Sequence, residues 1–112
     1  LIIMNKALGS DHPYVAAVRV NLAGSLRELG RQDEAVPLCE EAVAINRRAL
    51  GEDHVDVARA RSMLAALYLD SGRREEAAAL LDRALPVLEA TFGPDHPAVA
   101  TALDRRRQAD AR

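Results

Sequence analysis

An all-α fold, a right-handed solenoid of helix–turn–helix units, is what this sequence predicts, and three observations predict it. A segment recurs at a fixed offset. Apolar residues within each copy are spaced three or four apart. No stretch alternates as a strand would.

The recurrence runs through the whole chain. ALGSDHP from Ala7 returns as ALGEDHV from Ala49 and as TFGPDHP from Thr91, 42 residues apart each time. Identities between residues 7–48 and 49–90 are spread over the full unit without a gap. They include Gly9 with Gly51, His12 with His54, Gly30-Arg31 with Gly72-Arg73, and Glu34-Ala35 with Glu76-Ala77. The chain therefore divides as one domain, 1–112: the end of a truncated repeat (1–8), repeats at 9–50 and 51–92, and a C-terminal helix (93–112). Leu1–Leu8 aligns with Val43–Leu50, which places it at the tail of a second helix. In the third copy, Arg106, Arg107 and Asp110 replace apolar residues of the earlier units, as a solubilising cap would.

Each unit reads as two helices. Val15, Val18, Leu22, Leu26 and Leu29 fall on one face of the first, expected over 13–29. Pro13 suits the first helical position, and His12, preceding it, is pushed out of the α region. Gly30 ends the helix by taking positive φ. The second helix, expected over 32–50, opens on Asp33 and Glu34 and closes with Arg47 and Arg48, each at the end its dipole favours. Its buried face is Ala35, Leu38, Cys39, Ala42, Ile45 and Ala49. Unit two repeats the plan over 55–71 and 74–92, with Val57, Ala60, Leu64, Tyr68, Ala77, Leu80, Leu81, Ala84 and Leu88. A last helix covers 97–110. Pro86, deep in its helix, predicts a kink near Asp82–Pro86.

LAGSL-REL-GR-QDEA (Leu22–Ala35) and LAALY-LDS-GR-REEA (Leu64–Ala77) place a Leu-Ala pair, a glycine turn and an alanine at the spacing of tetratricopeptide repeats. The long unit with its G-x-D-H-P connection resembles the kinesin light chain variety of that repeat. The resemblance implies a protein- or peptide-binding module of a larger protein, with the partner segment held on the concave face lined by first helices. It implies that Asn21, just before Leu22-Ala23, serves the peptide groove. Met63 stands at that place in unit two, and Val20 and Gly24 stand where chaperone-binding relatives carry a lysine–asparagine carboxylate clamp. The groove candidates are Val20, Asn21, Gly24, Arg27, Arg59, Ser62, Met63, Ala66, Asp70, Asp104 and Arg105. The alternative role is a structural spacer or self-association element, with Leu1, Ile2, Ile3 and Met4 offering an apolar edge for a homodimer.

Composition narrows the function further. The chain is 49% hydrophobic, 29% charged and carries a net charge of −2, which argues against a nucleic-acid binder. No apolar run is long enough for a membrane span, and one cysteine, Cys39, forms no internal disulfide, so a cytoplasmic setting is expected. His12, His54 and His96 each follow an aspartate. They stand one repeat apart, and packed helices lie about 8–10 Å from one another, whereas zinc ligands must converge to about 2.0–2.1 Å. The histidines are therefore read as connections between repeats. No catalytic residue, metal site or cofactor is expected, and the chain is read as a non-enzyme.

Overall fold

The computed structural model describes residues 12–111. Its five helices are α1 (Pro13–Glu28), α2 (Gln32–Leu50), α3 (Val55–Asp70), α4 (Arg74–Phe92) and α5 (Pro97–Asp110). All five expected spans hold to within one residue. The proposed dimer edge, Leu1–Met4, lies outside the described residues.

Local chemistry explains the boundaries. His12, His54 and His96 sit in extended backbone, and the Nδ1 atom of each accepts a hydrogen bond of 3.0 Å from the backbone N–H two residues on. The imidazole thus does for α1, α3 and α5 what a serine or aspartate does at most helix starts. At the far end of α1, Gly30 takes φ +76°. Arg31 N–H then reaches the Leu26 carbonyl (2.8 Å) and Gly30 N–H that of Arg27 (3.0 Å), a Schellman closure that recurs with Arg73, Tyr68, Gly72 and Leu69. The arginine just past each closure leads the next helix, where Arg31 pairs with Glu34 and Arg73 with Glu76. Both second helices carry an internal proline, and both run unbroken through it. Pro86 faces solvent, so water can meet the Asp82 carbonyl that loses its partner, and no interruption of the helix results.

Small residues let the helices close. Ala23 and Ala65, and Ala42 and Ala84, are fully buried where helices cross. The backbone of α3 comes within 8 Å of both α1 and α5, while α2 and α4 do not approach each other. First helices touching and second helices splayed make a curved stack whose inner face is α1, α3 and α5.

The stripe read from spacing is corrected at three positions. Leu22 is 38% exposed and Leu29 69%, although Leu64, the counterpart of Leu22, is 4% exposed. Ala49 is exposed as well. A helix on each side covers α3, whereas among the described residues no helix precedes α1. What α1 buries is Val15, Ala16, Ala23 and Leu26.

Candidate functional site

Four of the eleven groove candidates turn out to be tied to one another. Arg27 in α1 donates from Nε to Asp70 of α3 at 2.6 Å and from Nη2 at 3.3 Å, a two-pronged bridge across the inner face. Arg105 of α5 donates from Nη1 to the Ser62 carbonyl (3.0 Å) and to its Oγ (2.9 Å). Burial, followed by the nearby Arg27 guanidinium, pushes Arg105 below the ordinary arginine value. Ser62 and Ala66 are not free groove side chains: they are 6% and 1% exposed, Ser62 lying beneath Arg105. Gly24 faces Met63 where α1 passes α3, and a Cβ there would stand in ordinary contact, 3.4 Å, with the end of the Met63 side chain. Asp104 accepts from Gln108 at 2.9 Å and points outward.

Val20, Asn21 and Arg59 are placed otherwise. A cleft of about 200 Å3 opens between α1 and α3, with Ala17, Val20 and Asn21 on one wall and Asp56 and Arg59 on the other. A second, of about 230 Å3, opens between α3 and α5, where Arg59, Ser62 and Arg105 meet Pro97, Ala98 and Thr101. They are the same cleft twice. Ala17, Val20, Asn46, Asp56 and Arg59 of the first correspond, 42 residues on, to Arg59, Ser62, Leu88, Ala98 and Thr101 of the second. Arg59 belongs to both, and among the described residues it has no ion pair or hydrogen bond.

Asn46 and Asp56 were missed in the sequence. Asn46 of α2 forms the floor of the first cleft and is 3% exposed. The signal was available: it is a polar residue at the position where the next unit carries Leu88.

The charged cluster around Glu52 is satisfied within itself. Glu52, in the turn between α2 and α3, binds Arg47 (2.7 Å), Arg83 (3.0 Å) and buried Arg61. Those bonds, Arg61 first and Arg47 next, hold its carboxyl below the usual range. Another hollow, of about 470 Å3, lies outside the stack between the start of α4 and the end of α5. It is an open surface in which Arg73 and Glu76 have satisfied each other, with few apolar walls to hold a ligand. Tyr68 donates to the Glu40 carboxylate at 2.5 Å under the Arg73 guanidinium, joining α3 to α2. Cys39 is fully buried against the Ala60 carbonyl, and burial pushes its thiol up to about 12, which makes it a packing residue. Among the described residues no three histidine, cysteine or acidic side chains converge on a metal position, and no helix is long and apolar enough to cross a membrane.

Comparison with known proteins agrees with this architecture. The tetratricopeptide-repeat family model matches residues 14–90 and, in a second register, 64–106. No curated protein matches the chain.

Proposed function

The chain belongs to the tetratricopeptide-repeat family, whose repeats generally mediate protein–protein interaction, and from that premise we propose that its concave face holds an extended or helical segment of a protein partner. One observation carries the reading: two repeat-related clefts lie in file along α1, α3 and α5 and share Arg59. A segment laid along the inner face would place successive side chains in successive clefts, with main-chain and side-chain contacts between them. Asn21 and Arg59 are exposed and unengaged, as recognition groups must be before a partner arrives. Arg27 and Asp70 frame the groove and are occupied with each other.

The 42-residue unit and its Gly-x-Asp-His connection support the kinesin light chain-like variety of repeat, serving as the interaction part of a larger protein. A lone, buried, unpaired thiol suits a cytoplasmic setting.

The test is a binding titration with peptides selected on the immobilised chain from a random library. Asn21→Ala combined with Arg59→Ala should weaken those peptides by at least about tenfold, the scale of one interface hot spot, with helicity and melting temperature unchanged. Equal affinity for both forms would place the binding surface elsewhere.

A further inference from the structure

Asn46 occupies a position that this fold fills with leucine one repeat later. Leu88 is 1% exposed at the equivalent place, packed into the core. The Asn46 amide, equally buried, is poorly held. Its Nδ2 donates to the Asp56 carbonyl at 3.5 Å, the outer limit for such a bond, and its Oδ1 has no donor. An unmatched buried acceptor destabilises a fold. Stability alone would favour leucine at 46.

The residue lies at the floor of the first cleft, and the cleft suggests why it is polar. We propose that this cleft takes the carboxamide side chain of an asparagine or glutamine in the protein partner, with the Asn46 Oδ1 accepting a hydrogen bond from the incoming NH2 group. This rests on the groove reading above and specifies its partner. Asp56 and Arg59 line the same cleft with opposite charges. A partner lysine would be drawn to Asp56 but repelled by Arg59, and a carboxylate would be drawn to Arg59 but repelled by both Asp56 and the Oδ1 lone pairs. An alkyl side chain would leave Oδ1 unmatched. A carboxamide supplies a donor to Oδ1 and an acceptor for the Asn21 amide or the Arg59 guanidinium. Because one long bond is all that holds it, the Asn46 amide can turn Oδ1 toward a donor entering the cleft.

The second cleft makes the converse prediction. Leu88 and Ala98 replace Asn46 and Asp56 there, and the polar groups are Arg59, Ser62, Thr101 and Arg105. That site has no unmatched acceptor on its floor, so the demand for a donor belongs to one end of the groove and fixes the direction of the bound segment.

Random heptapeptides displayed on phage and selected on the immobilised chain supply the probe, and Asn46→Leu supplies the variant. Selected sequences should share asparagine or glutamine at one position. Replacing that residue by leucine or glutamate in a synthetic peptide should weaken binding to the native chain at least about tenfold. Asn46→Leu should raise the melting temperature by about 5 °C, since it removes an unmatched buried acceptor. It should also abolish the preference for carboxamide over leucine. An unchanged preference, a lower melting temperature, or selected peptides with no shared carboxamide would each overturn the inference while leaving peptide binding in place. If the native chain enriches no peptide at all, the groove reading falls and this one falls with it.

Discussion

Units one and two are built to one plan and hold it with different neighbours. In α1 four residues are buried, and in α3 ten, although the two helices have equal length. Leu22 and Leu64 share a register, yet one is open and the other closed. Arg19 and Arg61 share another: Arg61 is anchored by Glu52, while Arg19 reaches across to Glu41 at 3.3 Å, and the sequence has Ser10 where Glu52 would stand. A repeat thus fixes where a side chain stands, and the adjoining repeat fixes what the position is worth, as nearest-neighbour energetics of stacked units requires.

One pair of substitutions at matching positions separates the two units by the widest margin. Leu64→Ala should cost about 3 kcal/mol by urea unfolding, as removal of a buried leucine does in a packed core. Leu22→Ala, at the same place one repeat earlier, should cost less than about 1 kcal/mol. Equal losses would mean that α1 is covered in solution as α3 is.

Next comes the Glu52 hub, which has no counterpart in unit one. Glu52→Gln should lower the melting temperature at neutral pH by leaving buried Arg61 without its carboxylate. The pH dependence has a definite sign. Because the folded carboxyl titrates below the usual range, its contribution is complete above that range and is lost as pH falls through the folded value. The gap between native chain and variant should therefore close on acidification, and a gap that widened would show that Arg61 is held by something else.

How much of this was legible in the sequence follows from range. The helix ends were readable because their causes are local: a histidine before Pro13, a glycine at 30, an arginine with a glutamate three residues on. The role of the histidines was readable only in outline, since capping through Nδ1 depends on a rotamer that spacing does not reveal. The groove was the least legible part. Arg27 meets Asp70, and Arg105 meets Ser62, each 43 residues apart, one more than the repeat. A first helix therefore touches the next with a one-residue stagger, and candidates judged helix by helix looked free when they were paired. Asn46 was passed over because stripes are read by their apolar members.

The caps test the opposite side of the comparison. His12→Ala and His54→Ala should cost the same, about 1 kcal/mol each, because each cap is a bond made within its own helix. Asn at either position should recover most of that loss, since its side-chain oxygen can take over as acceptor. Unequal costs would show that the cap in one unit also carries packing.

The smallest effect expected is at the rim of the groove. Arg27 and Asp70 bridge units one and two, and the sequence places Leu69 and Arg112 at the corresponding positions one repeat on, so the bridge is made once. Both side chains are partly exposed, which limits the coupling to about 0.5–1 kcal/mol in a double-mutant cycle with alanine. Its value is diagnostic. If a partner segment lies in the two clefts beside Asn21 and Arg59, breaking the bridge should trim stability by that small amount and leave peptide affinity within about twofold, a change of less than 0.5 kcal/mol. If affinity instead falls with the bridge, the pair holds α1 and α3 at the separation the clefts require, and recognition depends on the stagger between repeats as much as on the residues that line them.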